Sequence, residues 1–376
     1  MKKIIISFLV LFLLGFGANA QDAGSNGTKK VAIIISSNGE VGKENLSYDL
    51  EELAQAYLVL EENNIQSDII SPKGGAVLVP TKKDGLDFIQ RFKKETTALE
   101  KLANTISADQ AVSDQYDAVL VIGGAGAMFD LPVDTGTQKF ISDFVVADKP
   151  IAAVCHGPAA LVNISDANGQ PFLKGKTVNS FTNLEEKAFG QDVIPLLPFL
   201  LEDKMKSLGA HYTYNLPMLP FVATDGNLVT AQNPPSVGTA VEVLLTKMGV
   251  KLADRPLFKD EATMALIAQA RKSGPALIDV ALAKKTAAYD LNYLALYGFY
   301  AYNLAQTPED RKIELGLMQV ISHHFSHPQY SVAMVHALMA EGNVDDAKLA
   351  LSKLKAEFPS FEGLDSLNKQ YPILVD

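Results

Sequence analysis

The chain has no tryptophan, a single cysteine at Cys155 and six histidines among its 376 residues. One cysteine excludes an internal disulfide framework, and any thiolate-rich zinc site or iron–sulfur cluster built by one chain; a spectator, an intermolecular bridge or a reactive thiol remains. Positive charge is also scarce. Lys and Arg number 33 against 43 Asp and Glu, a net charge of −10, and no basic run stands out, so nucleic acid and anionic membrane are poor partners. The 48% apolar content rules out a disordered or collagen-like chain. At about 150 residues per domain, the length predicts two domains.

The first 20 residues stand apart. Lys2 and Lys3 precede an apolar run from Ile4 to Phe16, and Ala18-Asn19-Ala20 follows before Gln21. That order is a secretory leader with an A-x-A cleavage site, and the run is short of the ~20 residues that span a bilayer. We expect a signal over 1–20, a polar leader over 21–29, and a mature chain without membrane attachment, periplasmic or secreted. Removal of Lys2 and Lys3 takes the net charge to −12.

From Lys30 to about Val250, short β-branched runs alternate with helical patterns. Residues 31–36, 67–71, 117–122 and 150–154 are continuously apolar, as strands buried on both faces are. Helical spacing over 48–63 and 137–147 separates them, which predicts an α/β domain with a parallel sheet covered on both sides. A helix at 198–208, two short strands about Asp225-Gly226-Asn227 and a helix over 236–248 complete it. After Pro256 the strand signals vanish, and 256–376 reads as an all-α domain of five to seven helices. Its stretch from Tyr330 to Pro359 looks like one tetratricopeptide-type hairpin, with a weaker copy before it; a helical bundle packed on the first domain is the alternative.

Cys155 sits in Ala153-Val154-Cys155-His156-Gly157-Pro158, between an apolar strand and a helical pattern. Small residues at 153 and 157 permit the sharp turn of a nucleophile elbow. Backbone amides and a helix dipole aimed at the sulfur are expected to favour the thiolate. Gly123 and Gly124 leave the end of another predicted strand and, with the amide of His156, are candidates for an oxyanion hole. The G-x-G-x-x-G spacing is absent and no P-loop occurs, so no nucleotide cofactor is expected.

Leu50-Glu51-Glu52-Leu53, GGAGAMFDLP at 123–132 and AVCHGPAAL at 153–161 together resemble the ThiJ/PfpI superfamily of class I glutamine-amidotransferase-like proteins. The resemblance is to the branch that holds glutathione-independent glyoxalases and the small heat-shock chaperone. Further similar text is Ser71–Gly75, Phe181–Glu186, Pro198–Asp203 and Asp225–Pro234, so the likeness covers roughly 30–248 and none of 256–376. It implies a flavodoxin-like sandwich, Cys155 as nucleophile, His156 as general base, and Glu52 as the carboxyl that hydrogen-bonds the sulfur and shuttles a proton. Glu186 is placed to orient the imidazole, with Glu185 one residue away and not excluded by spacing. Glu51, by contrast, reads as part of a solvated helix face. Relatives commonly dimerise, which leaves a homodimer open.

Two departures are visible. Ala125 stands where many relatives have His in GGHG, and 215–250 lacks the His of glutamine amidotransferases, which disfavours glutaminase chemistry. His323, His324 and His327 approach metal-ligand spacing, but no carboxylate shares the stretch and Pro328 ends the helix, so no metal is expected. Tyr289, Tyr293, Tyr297, Tyr300 and Tyr302 read as a packing face. The expected activity is conversion of a small reactive carbonyl, a 2-oxoaldehyde, to a 2-hydroxy acid, without a cofactor. The alternatives are a Cys hydrolase acting on an acyl substrate (amidase, peptidase or deglycase-like), and a holdase chaperone binding a protein partner through 256–376.

Overall fold

The computed structural model describes residues 29–40, 42–80 and 83–374. The leader expected over 1–20, and nearly all of the polar segment after it, lie outside the described residues. Nine strands occur among the described residues: β1 (Lys30–Ile34), β2 (Gln66–Ser71), β3 (Ile106–Ser107), β4 (Ala118–Val121), β5 (Ile151–Val154), β6 (Thr177–Val178), β7 (His211–Tyr212), β8 (Val222–Asp225) and β9 (Leu228–Ala231). Seven form one sheet in the order β3-β2-β1-β4-β5-β9-β8, and β6 pairs with β7 apart from it. The large sheet is parallel except for the antiparallel pair β8 and β9, which the Asp225-Gly226-Asn227 turn connects.

The continuous apolar text of the central strands has a direct cause in this arrangement. Val31, Ile33 and Ile35 enter one apolar core while Ala32 and Ile34 enter another on the opposite face, so neither side of β1 meets water. The first core takes side chains from α1 (Leu50–Glu62), α2 (Asp87–Phe92), α3 (Thr96–Ala103) and, later in the chain, α7 (Val237–Lys247). The second takes them from α4 (Thr135–Val146) and α6 (Leu201–Ser207). Between those two in sequence lies the short α5 (Asn183–Phe189). The chain is thus α/β with a mostly parallel sheet between helices.

Seven more helices follow: α8 (Lys259–Ser273), α9 (Leu277–Lys285), α10 (Leu291–Leu304), α11 (Pro308–Ile321), α12 (Pro328–Ala340), α13 (Val344–Glu357) and α14 (Gly363–Gln370). None of the described helices is long and apolar enough to cross a membrane. The helices α12 and α13 occupy the tetratricopeptide-like stretch. This part has its own apolar core, but Met218 and Leu219 from the α/β part are members of it. Tyr297 and Tyr302 are buried in that core, whereas Tyr293 donates a hydrogen bond to Glu51 and Tyr300 meets the ring of Phe189 at 4.8 Å. The tyrosines therefore divide between the helical core and the other half of the molecule.

The histidines at 323–327 leave the helix, because α11 ends at Ile321. His323 Nδ1 and His324 Nε2 both reach Asp279 Oδ1, at 3.3 and 2.6 Å, and His327 caps α12. Among the described residues, no group of three or more His, Cys, Asp or Glu side chains is placed to hold a metal ion.

Polar ties join the halves. Gln55 donates to Asp260 at 2.6 Å, and the Ala253 amide donates to Asn63 Oδ1 at 2.8 Å. Arg255, almost wholly buried, donates to Glu242 of α7 at 2.8 Å and, through both terminal nitrogens, to Glu261 of α8 at 2.7 and 2.9 Å. Removing one partner of such a group strands a buried charge, at a cost of about 3–5 kcal/mol. Arg255→Ala is therefore expected to lower the urea-unfolding free energy by about that amount, and a loss of well under 1 kcal/mol would show that the bridge is dispensable.

Candidate active site

In an open parallel sheet, ligands bind beyond the carboxyl ends of the strands, where strand order reverses. Here that point lies between β1 and β4, and three connections leave it: β1 to α1, the loop after β4, and the turn after β5. They carry Glu52, Gly123-Gly124 and Cys155 respectively.

Asp49 caps α1, accepting hydrogen bonds from the Glu51 and Glu52 amides at 2.8 and 3.3 Å, which fixes the first turn. Glu52, fully buried there, accepts the Gly123 amide on Oε2 at 2.8 Å. Its carboxyl acts electrostatically on the Cys155 thiol, while Oε1 has no hydrogen-bond partner among the described residues. The glycine is required by crowding: a Cβ at Gly123 would sit 2.7 Å from the His156 nitrogen and 2.8 Å from the Cys155 Cβ. Gly124 follows at φ +86°, where side-chain-bearing residues are strained.

Cys155 itself has φ +55°, a conformation that costs roughly 1–3 kcal/mol and persists only where neighbours enforce it. The Cys155 amide donates to Ala231 O at 2.8 Å, and its carbonyl accepts from the Phe181 amide at 2.9 Å. These two bonds pin the elbow from β9 and from the segment before α5. The sulfur lies 3.5 Å from His156 Nδ1, and His156 Nε2 meets Glu186 Oε2 at 2.7 Å. The two ring nitrogens of His156 thus bridge the sulfur and the Glu186 carboxylate.

The adjacent Glu185 does different work. It completes a capping box with Thr182 and accepts from the Met218 amide at 2.8 Å and from Asn233 at 2.9 Å. It ties α5 to the loops beyond it, and of the two carboxylates only Glu186 reaches the imidazole.

Three sequence expectations change. The segment after Cys155 is a 3-10 helix of five residues, Gly157–Leu161, too short to aim a useful dipole at the sulfur. Burial first, and the nearby Glu52 carboxyl second, instead push the Cys155 thiol well above its ordinary value. Burial likewise raises Glu52, with Asp49 adding to it, so the protonated forms of both the thiol and the carboxyl are favoured. Second, the Gly123 amide is engaged by Glu52, so of the amides expected to form an oxyanion hole those of Gly124 and His156 remain as candidates. Third, Glu51 is not solvated. It is buried, paired with Lys83 and hydrogen-bonded by Tyr293, because α10 covers this side of α1. No local signal marks it, since its cover comes from text some 240 residues away.

These side chains lie at a cavity of about 390 Å³. Cys155, His156, Gly124 and Glu186 line it together with Glu51, Lys83 and Phe181, and Met264, Tyr293 and Leu296 of α8 and α10 add a wall from the helical part. The sequence indicated neither Lys83 nor that wall.

Alkylation of Cys155 by iodoacetamide should accordingly follow an apparent pKa above that of a free thiol, and Glu52→Gln should move it down. An unchanged profile would separate Glu52 from the sulfur. Glu51 offers a second test. Burial, partly offset by Lys83, raises its carboxyl from 4.5 to about 7, so the folded chain holds a proton that the unfolded chain releases. Its contribution to stability is full below about pH 4.5 and is lost as pH rises through 7. Glu51→Gln should flatten the fall in thermal midpoint between pH 5 and 8; an identical slope in both proteins would refute that role.

Residues 45–247 match the DJ-1/PfpI family. The glutathione-independent glyoxalase HSP31 of Saccharomyces cerevisiae is 34% identical over 156 residues, 40% of this chain and 66% of that protein. Glyoxalase 3 of Candida albicans is 34% identical over 38% of this chain and 63% of that protein, so the chain spans somewhat under two thirds of these relatives. Among solved structures, the rapid encystment protein of Francisella tularensis superposes with a TM-score of 0.54 at 30% identity, covering 58% of this chain and 99% of that one. With more than half of its length inside the match, the chain belongs to the DJ-1/PfpI family.

Proposed function

We propose that the chain is a cysteine-dependent enzyme of the glutathione-independent glyoxalase type, converting a 2-oxoaldehyde to a 2-hydroxy acid. The observation that carries this reading is the meeting of Cys155 and the His156–Glu186 pair at one cavity, with Glu52 buried behind the lining and held by the Gly123 amide. The names of the matched relatives support it.

In this reading Glu52 or His156 takes the thiol proton, and the sulfur adds to the aldehyde carbon, forming a C–S bond. The resulting oxyanion is met by the amides of Gly124 and His156 and is protonated to a hemithioacetal. The hydrogen on the former aldehyde carbon then leaves as a proton and returns at the neighbouring carbon through an enediol, with Glu52 and His156 as the shuttling groups. This yields a thioester, whose C–S bond water cleaves to release the acid and restore the thiol. One carbon is oxidised and its neighbour reduced, so the stoichiometry needs no external oxidant or reductant. Glu186 acts through His156 as a positioning residue.

The raised thiol suits this scheme. Burial keeps the thiol protonated, and that proton is available to the substrate oxygen once the sulfur attacks, so charge need not accumulate in a buried place. The leader over 1–20 supports a further part of the proposal, that the enzyme works outside the cytoplasm.

Lactate formed from methylglyoxal without glutathione is the direct assay. Wild type should produce it and Cys155→Ala should not, while Glu186→Gln should lower kcat by about 10²-fold or more, in the range of a lost acid–base contribution. Equal activity in wild type and Cys155→Ala would remove the cysteine from the mechanism. Hydrolysis of a p-nitrophenyl ester in place of lactate formation would favour the hydrolase reading.

A further inference from the structure

The cavity is large for a three-carbon aldehyde. Pockets of about 300–1,000 Å³ suit ligands of drug size, and this one is about 390 Å³. Methylglyoxal, with five heavy atoms, displaces only a few waters of about 30 Å³ each. The remaining space has a definite chemistry. Phe189, Val193 and Met218 from the α/β part face it together with Met264 and Leu296 from the helices. Phe189 and Leu296 are each 40% exposed, a notable exposure for large apolar side chains on a cavity wall.

The charged groups on the lining oppose an anion. Glu44, Asp49, Glu51, Glu185 and Glu186 supply carboxyls, and Lys83 is the one Lys or Arg among the described residues of the lining. Lys83 is bonded to Glu51 and lies 3.6 Å from Asp49, so it is committed to the protein's own carboxylates. A substrate bearing a carboxylate or phosphate would meet repulsion with no counter-charge.

We infer that the appended helices set the specificity of the site, and that the substrate is an uncharged 2-oxoaldehyde whose ketone carbon carries an apolar group larger than methyl. Leu296 and Met264 contact that group, and Tyr293, fixed by its bond to Glu51, closes the side nearest α1. This rests on the glyoxalase reading and adds its substrate class. Met264, Tyr293 and Leu296 lie beyond the family match at 45–247, so the added part of this chain supplies one side of a lining that Phe189, Val193 and Met218 complete.

The test compares kcat/KM for phenylglyoxal, methylglyoxal and 4-carboxyphenylglyoxal in wild type, Leu296→Gln and Met264→Ala, all as the full chain with folding checked by circular dichroism. Wild type should prefer phenylglyoxal to methylglyoxal by at least about tenfold, the scale of discrimination that one or two apolar groups give. The carboxylated analogue should be the poorer of the two aromatic substrates. Each substitution should reduce the phenylglyoxal-to-methylglyoxal ratio severalfold, a readout that cancels the intrinsic reactivity of the aldehydes. A wild-type preference for methylglyoxal, or a ratio unmoved by both substitutions, overturns this inference and leaves the glyoxalase reading standing. Consumption of none of the three aldehydes overturns both.

Discussion

The hydrogen bond from the Gly123 amide to Glu52 Oε2, 2.8 Å long, joins the first turn of α1 to the loop after β4 directly beside the elbow of β5. Three connections from three strands must meet there, and each imposes a condition on the others. The loop can approach only because residue 123 has no Cβ. Glu52 is held in its buried place by the Gly123 amide, with Oε1 unpartnered among the described residues. Cys155 holds φ +55° only because β9 and the chain before α5 bond its amide and carbonyl. A carboxyl in such a place would cost several kcal/mol as an unpaired ion, so burial itself favours its protonated form.

Covering the site with α8 and α10 extends that logic to the next residue. Glu51 on a bare α1 would be an ordinary solvated acid; under α10 it requires Lys83 and Tyr293 and still takes up a proton near neutrality. The same packing that closes the cavity thus creates a second buried carboxyl one residue from the first. Asp260, raised by burial and by Glu51, belongs to the same seam with Gln55. A junction this acidic is sensitive to pH in a direction that its composition alone does not reveal.

Much of this was readable from local text. Continuous apolar runs gave the central strands, because a strand covered on both faces has no polar side to alternate with. The spacing about Cys155 gave the elbow, and the family resemblance pointed to Glu186 while leaving Glu185 open, a choice that only the 2.7 Å contact to His156 resolves. What stayed hidden depends on partners distant in sequence. Glu51 looked exposed because its cover lies on α10, and the Gly123 amide looked available because its acceptor lies on α1. The two-residue strands β3, β6 and β7 are too short to carry a periodic pattern. The Ala-rich text after Cys155 resembled an α-helix, yet it turns as five 3-10 residues.

The electrostatic state of the cysteine also bears on where the chain works. A low-pKa thiolate open to solvent is the form most readily oxidised to sulfenic acid and beyond. Cys155 is 5% exposed and its thiol is pushed up, so the resting site holds little thiolate. For a chain read as exported, where a single cysteine has no disulfide partner within the molecule, that state suits survival better than the dipole-activated thiolate the sequence led us to expect. In the proposed reaction the reactivity comes from the substrate, whose carbonyl oxygen would accept the charge that the buried sulfur would otherwise carry alone.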